Sequence, residues 1–184
     1  FFIYYFDTLL LNFYNVKFFE IGGVEEMGKI ICGDWMIRQQ GYDPESLTFS
    51  ESIFSLGNGY IGVRGFMAHE RNREKFDLCT YIAGIFDYFK PGITDMVNTP
   101  NFLRASFRLN GSELDINTGH IDNFCRVLNL QNGTLTTSFV WEDNLVFRTK
   151  TEEIRFLSIA RIHNAVQRYK ITPLNYSGDI LAEI

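Results

Sequence analysis

Residues Glu51 to Gly65 read Glu-Ser-Ile-Phe-Ser-Leu-Gly-Asn-Gly-Tyr-Ile-Gly-Val-Arg-Gly, the residue types from which a phosphate cradle can be built. Four glycines fall within nine residues and spell Gly57-x-Gly59-x-x-Gly62, with Asp77 spaced as a ribose-binding acid would be. A dinucleotide site needs a strand before the glycines, a helix opening at their end and a second parallel strand carrying the acid. That context is missing. Gly62 and Gly65 stand where the helix should start, and both are poor helix residues. Asp77 follows the charged run His69 to Lys75 rather than an apolar strand. A protein-kinase loop fits no better, because Arg64 replaces the expected Val and no Val-Ala-x-Lys or His-Arg-Asp follows. A P-loop would need Gly-Lys-Ser/Thr, which is absent. Gly57, Asn58 and Gly59 all tolerate positive φ, so the stretch reads as a tight reversal or bulge between strands.

Other groups able to do chemistry are scattered. Glu51 and Arg64 bracket the glycines and can pair across them, with a pair that holds the turn as the simpler reading over catalysis. His69, His120 and His163 share neither zinc-ligand spacing nor an adjacent nucleophile, and read as solvated or capping side chains. Glycosidase chemistry needs two carboxylates across a sugar, and Glu51, Asp77, Asp95, Glu113 and Asp115 are available, but spacing alone assigns none of them. Cys32, Cys79 and Cys125 suit neither a disulfide framework nor a zinc site, which points to a reducing compartment with buried thiols. Asn110, Asn132 and Asn175 lie in glycosylation sequons, two of which are simply Asn-Gly turns. Tyr81, Phe86, Tyr88 and Phe89 have the faces to stack on sugar rings, though core packing is the commoner fate.

The elements that must position these residues are strands. Leu103, Ala105, Phe107 and Leu109 alternate with polar residues up to Asn110-Gly111, and Leu114 and Ile116 alternate before Thr118-Gly119. After Asn132-Gly133, the inward face of a strand reads Leu135, Thr137, Phe139 and Trp141. Glu142-Asp143-Asn144 turns the chain into Leu145, Phe147 and Thr149, and a long strand over Val166 to Thr172 ends at Pro173. Short alternating strands at such intervals predict an all-β, antiparallel β-sandwich, with helical periodicity hard to find anywhere. Gly178 to Ile184 reads as a further strand with no partner, as though a longer sandwich were truncated there.

The chain is 184 residues long, enough for one domain with a sizeable core. Its formal net charge of −5 leaves no footprint for nucleic acid or an acidic membrane surface. Residues 1–26 differ from the rest: six Phe and three Tyr crowd Phe1 to Glu20 without an amphipathic period. The segment lacks the basic start and cleavage site of a signal peptide, and Asp7, Asn12, Asn15 and Lys17 interrupt any membrane span. Gly22-Gly23, placed shortly before Met27, is what a purine-rich ribosome-binding site gives when translated, so residues 1–26 are expected to be a non-native leader and Met27 the start. The remainder carries 16 basic and 18 acidic residues.

Five ordered blocks now coincide with a known family. Trp35-x-Ile-x-x-x-Gly-Tyr-Asp-Pro leads into Glu51 to Gly65, followed by Thr80 to Phe86, Val97 to Asn101, Leu135 to Trp141 and Ile171 to Gly178. From about Trp35 onward the chain resembles the N-terminal domain of glycoside hydrolase family 65, which holds the maltose, trehalose, kojibiose and nigerose phosphorylases. The resemblance implies a large sandwich shaped like that of galactose mutarotase, joined by a helical linker to an (α/α)6 barrel. It implies that a barrel Glu protonates the glycosidic oxygen while inorganic phosphate attacks the anomeric carbon with inversion, releasing β-glucose 1-phosphate. That Glu and the phosphate ligands are expected beyond residue 184, leaving residues 27–184 as a non-catalytic part of the enzyme. In this reading Glu51, Gly57, Asn58, Gly59, Gly62, Arg64 and Gly65 are a structural family motif; no metal or cofactor is expected, phosphate being a co-substrate. The implied parent is a bacterial, cytoplasmic homodimer acting on an α-glucosyl disaccharide, with no nucleic-acid or membrane partner. A family 65 α-glucoside hydrolase, or a stand-alone carbohydrate-binding or interaction sandwich, is the alternative.

Overall fold

The computed structural model describes residues 29–69 and 80–183; the leader over 1–26, the start at Met27, Asp77 and Cys79 lie outside the described residues. Strands β1 (Lys29–Cys32) and β2 (Met36–Gln40) form a hairpin, followed by a 3-10 turn (Pro44–Ser46) and helix α1 (Leu47–Ile53). Next come β3 (Leu56–Gly57), β4 (Ile61–Val63), β5 (Thr80–Ile82), β6 (Phe86–Lys90), β7 (Ile93–Met96), β8 (Ser106–Leu109) and β9 (Ser112–Glu113). Four longer strands follow, β10 (His120–Asn129), β11 (Thr134–Glu142), β12 (Arg148–Leu157) and β13 (Ala165–Pro173), and then β14 (Ile180–Glu183).

These strands pair antiparallel throughout. One layer is a six-stranded sheet in the order β1-β2-β10-β11-β12-β13. Two three-stranded sheets, β3-β4-β5 and β14-β8-β9, cover its inner face, and β6-β7 is a separate two-stranded ribbon. The first small sheet and its flanks bury Phe54, Ile61, Val63, Phe66 and Leu103 against Leu128, Leu135 and Leu157 of the large sheet. The second buries Phe107, Leu109, Leu114 and Ile116 against Phe124, Phe139 and Trp141. The molecule is therefore the expected all-β antiparallel sandwich, with a core in two parts. No helix among the described residues is long and apolar enough to cross a membrane.

Turn chemistry sets the hairpins. Asn110 at φ 48° and Gly111 at φ 86° both adopt the left-handed region that a two-residue reversal between β8 and β9 requires. In the β10–β11 turn, Gly133 takes φ 65° and the Asn132 side chain accepts from the Thr134 amide at 3.2 Å. Leu135, Thr137, Phe139 and Trp141 form the buried face of β11 as their alternation predicts. Leu103, Ala105, Leu114 and Ile116 are buried too, but outside the regular strands.

Three expectations need correction. Helix α1 was not expected, because its buried face is Leu47, Ser50 and Glu51 and two of those three residues are polar. Leu145 lies in a loop, not a strand: the Asp143 carboxylate accepts from the Leu145 and Phe147 amides at 2.8 and 2.9 Å, and β12 starts only at Arg148. Strand β14 has a partner after all, pairing Ile180 with Leu109 and Glu183 with Ser106 of β8, a crossover that no local pattern announces.

The loop into β10 depends on Gly119, which has φ 87°; a Cβ there would sit 2.3 Å from the Glu142 carbonyl oxygen and 2.9 Å from the Trp141 indole nitrogen. That nitrogen already donates to the Thr118 carbonyl at 2.6 Å. Gly119→Ala is expected to destabilise the fold by about 2 kcal/mol or more, measured by urea unfolding, since both backbone conformation and space oppose it. Gly92→Ala, at a positive φ with open space around it, should cost clearly less.

Candidate functional site

The glycine-rich stretch folds as the turn between β3 and β4, with Gly57 opposite Gly62. Of Gly57, Asn58 and Gly59, only Gly59 uses a positive φ, at 86°. Asn58 instead works through its side chain. Its Oδ1 accepts from the amides of Tyr60 and Ile61 at 3.0 and 2.8 Å, and its Nδ2 donates to the carbonyls of Ser158 and Ile162 at 2.8 and 2.9 Å. The Asn58 amide donates to the Ile61 carbonyl at 3.2 Å. The amides of residues 58, 60 and 61, which a phosphate cradle would need, are thus committed within the turn.

Glu51 is buried in α1, 3.9 Å from the Arg64 guanidinium, which also donates to the Thr48 carbonyl at 2.7 Å and to Ser52 Oγ at 2.8 Å. The Gly65 amide donates to the Glu51 carbonyl at 2.9 Å. A Cβ on Gly65 would lie 2.6 Å from the Phe54 carbonyl oxygen, so close approach of α1 to this strand exit requires glycine.

Beyond Gly65 the chain leaves regular structure and runs through the interior as Phe66, Met67, Ala68 and His69, all buried. Carbonyls in such a segment have no ladder partner and must find donors elsewhere. The large sheet supplies them. Register places Gln39, Arg126, Thr137, Glu153 and Tyr169 side by side across β2, β10, β11, β12 and β13, a polar row between the two apolar clusters. Arg126 donates to the Gly65 carbonyl and to Met67 Sδ, while the neighbouring Arg155 donates to the Phe66 carbonyl at 2.8 Å. Each guanidinium also lies over a ring, Arg126 over Phe54 at 5.3 Å and Arg155 over Phe66 at 4.6 Å. Glu153 pairs with Arg155 and accepts from Gln167 and, at 3.3 Å, from the Tyr169 hydroxyl.

This environment fixes protonation. Burial would raise the Glu153 carboxyl, but the Arg155 charge and the hydrogen bonds from Gln167 and Arg155 hold it below the ordinary carboxylate range. It stays ionised, the opposite of what a general acid on a glycosidic oxygen requires. Tyr169 is pushed up by burial and then by the Glu153 charge. His69 is buried against Phe107, Phe139 and Tyr169, with ring centroids 5.4, 6.0 and 5.4 Å away. Burial lowers it from 6.5 to about 4. The solvated reading of this histidine is wrong, because a titratable ring fills an aromatic gap here.

The remaining candidates stay apart. His120 is exposed and meets Asp122 at 3.0 Å, and His163 packs edge-on to Tyr60 at 4.4 Å beside an open cleft of about 520 Å³ lined largely by apolar side chains. Asp95 and Glu113 sit in β7 and β9, and Asp115 caps the Asn117 amide at 2.9 Å. Cys32 is exposed, contrary to the buried-thiol expectation, and Cys125 is half-buried. Phe86 and Tyr88 are exposed rather than core. Among the described residues no group of three His, Cys, Asp or Glu could hold a metal ion. The row of Arg126, Glu153, Arg155 and Tyr169 escaped sequence reading, although charged residues at the inward positions of β12 were its visible trace.

Two measurements check this account. Arg155→Met leaves Glu153 buried without its cation and is expected to destabilise by about 3–5 kcal/mol, whereas the double variant Glu153→Met/Arg155→Met should recover most of that loss. For His69 the native ring resists protonation, so the unfolded chain binds the extra proton: stability is complete above pH 6.5 and falls as pH drops from 6.5 to about 4. The loss is on the order of 3 kcal/mol. His69→Phe should remove that part of the pH dependence in unfolding experiments across the window.

Residues 37–183 match the family model described as glycosyl hydrolase family 65, N-terminal domain. The kojibiose phosphorylases of Halothermothrix orenii and Thermoanaerobacter brockii are each 34% identical to the chain, over 84% of it and 20% of their own length. The nigerose phosphorylase of Lachnoclostridium phytofermentans is 28% identical over 80% of the chain and 19% of its own length. A solved structure provisionally named a kojibiose phosphorylase, from the human microbiome, superposes with a TM-score of 0.71 at 26% identity, covering 78% of this chain and 20% of that one. The chain thus spans about a fifth of the length of these relatives. With a family match that runs through the glycine-rich turn, the polar row and both core clusters, this chain belongs to glycosyl hydrolase family 65.

Proposed function

We propose that the chain is the N-terminal scaffold of a disaccharide phosphorylase, and that the parent protein cleaves an α-glucosyl disaccharide with inorganic phosphate, inverting the anomeric centre to give β-glucose 1-phosphate. The observation that carries this reading is that the chain, matched to the family model over residues 37–183, is similar to relatives named as kojibiose, trehalose, nigerose and maltose phosphorylases. In the reaction, a phosphate oxygen forms a bond to the anomeric carbon as the glycosidic carbon–oxygen bond breaks. The leaving oxygen takes its proton from a carboxylic acid. Glu153, the carboxylate at the centre of the buried row, is held ionised by Arg155 and cannot be that acid. In this reading the acid and the phosphate ligands belong to the part of the parent outside this domain, as the relatives are about five times as long as the matched region. This domain contributes a rigid platform, its glycine-rich turn tied down by Asn58 and its interior crossing held by Arg126 and Arg155.

The test uses the full product of the gene, incubated with kojibiose, nigerose, maltose and trehalose with and without inorganic phosphate. Glucose 1-phosphate should appear from one of them only when phosphate is present, as the β-anomer by proton NMR. Free glucose released equally with and without phosphate would identify a hydrolase instead.

A further inference from the structure

The ribbon β6–β7 places several large apolar side chains in water on a sheet that packs on nothing among the described residues. It is a two-stranded sheet on its own, with no substantial contact to any other described element. An isolated two-stranded hairpin is at best marginally stable in water and needs something to pack against. Its register sets Phe86 opposite Met96 and Tyr88 opposite Thr94 on one face, and Asp87 opposite Asp95 on the other. Phe86, Tyr88 and Met96 are 58%, 73% and 53% exposed. One face is thus apolar and aromatic without cover, while the other sets the like charges of Asp87 and Asp95 side by side, with the exposed Ile93 next to them.

We propose that this ribbon is a docking arm whose Phe86–Tyr88–Met96 face is buried against the part of the parent polypeptide that follows residue 184. The inference rests on reading the chain as one domain of a longer enzyme. Two observations select that occupant. The relatives carry about four-fifths of their length beyond the matched region, so a large tethered surface is at hand. The face is also small: an aromatic side chain buries about 150–250 Å², so two of them with a methionine offer on the order of 500 Å². That is below the roughly 800 Å² per partner of a stable free interface. A patch of that size suits a partner joined through the same chain, where effective concentration makes up for the missing area. The arm also grows directly from the cleft: Ile82 lines it, and the Ile85 amide donates to the Ile82 carbonyl at 3.3 Å where the ribbon begins.

The experiment places a photocrosslinker at the exposed aromatic, as Tyr88→p-benzoylphenylalanine in the full gene product, followed by irradiation and peptide mapping. The expected result is a crosslink within one chain between the peptide bearing position 88 and a peptide from beyond residue 184. Crosslinks to a second copy, to residues 70–79, or none at all would overturn the proposal. Hydrogen exchange on the same product provides a second reading: amides of residues 86–96 should be protected in the wild type, and Phe86→Ser should raise their exchange at least tenfold. Unprotected amides in the wild type would equally overturn it. Phosphorolysis by the same preparation is scored separately. Activity with no crosslink defeats the arm and leaves the enzyme reading intact, whereas a crosslink beyond residue 184 without phosphorolysis does the reverse.

Discussion

Two guanidinium groups with almost no access to water hold the layers of this sandwich in register. Arg126 and Arg155 rise from the large sheet to the carbonyls of Gly65 and Phe66, in a segment that has left its own ladder. Moving such charges out of water is costly, and the cost is offset only when every contact is made at once: carbonyl, aromatic face and, for Arg155, the Glu153 carboxylate. Gly65 can offer its carbonyl to Arg126 because it has no side chain to press on Phe54, and Phe54 in turn ends α1 and lies under the Arg126 guanidinium. Helix, glycine-rich turn, interior crossing and sheet are thereby one linked arrangement.

Seen from that arrangement, the glycine-rich stretch is an internal fitting. Its spacing imitates a nucleotide fingerprint, but its amides are committed to Ile61 and to the Asn58 side chain, and its exit carbonyl is taken by Arg126. Phosphate chemistry is named for the relatives, and this turn, with its amides engaged, offers no cradle for it. What the domain contributes is rigidity near the interior crossing and, in the β6–β7 ribbon, apolar surface turned outward.

How much of this was legible follows from how local each cause is. The Asn110-Gly111 and Asn132-Gly133 turns and the alternation of β11 are written in adjacent residues and read correctly. The β12 strand read poorly because Thr149, Thr151, Glu153 and Arg155 all point inward, so alternation carries no hydrophobic contrast. Arg155 serves the Phe66 carbonyl some ninety residues away in sequence, and no window along the chain contains both partners. Helix α1 failed for a related reason, since it buries Ser50 and Glu51 rather than an apolar stripe. His69 looked like a surface residue by type, yet it fills an aromatic gap beside Phe107 and Tyr169 that only the folded sheets create.

Asn58 has a bearing on how the molecule ages. Its amide spends two donors on Ser158 and Ile162 and its oxygen accepts twice within the turn, so the side chain is fully committed. Asn-Gly steps are the ones most prone to slow deamidation, because glycine leaves the following amide free to attack the side-chain carbonyl. At Asn58-Gly59 that attack requires the side chain to abandon all of these partners. Should it happen, the new carboxylate would confront two carbonyl oxygens at hydrogen-bonding distance, and the tie between the turn and the 158–162 loop would become a repulsion. Asn132-Gly133, in an exposed turn, is held only through its side-chain oxygen by the neighbouring Thr134, so chemical wear is expected to begin at the rim of the sandwich long before it reaches this tie.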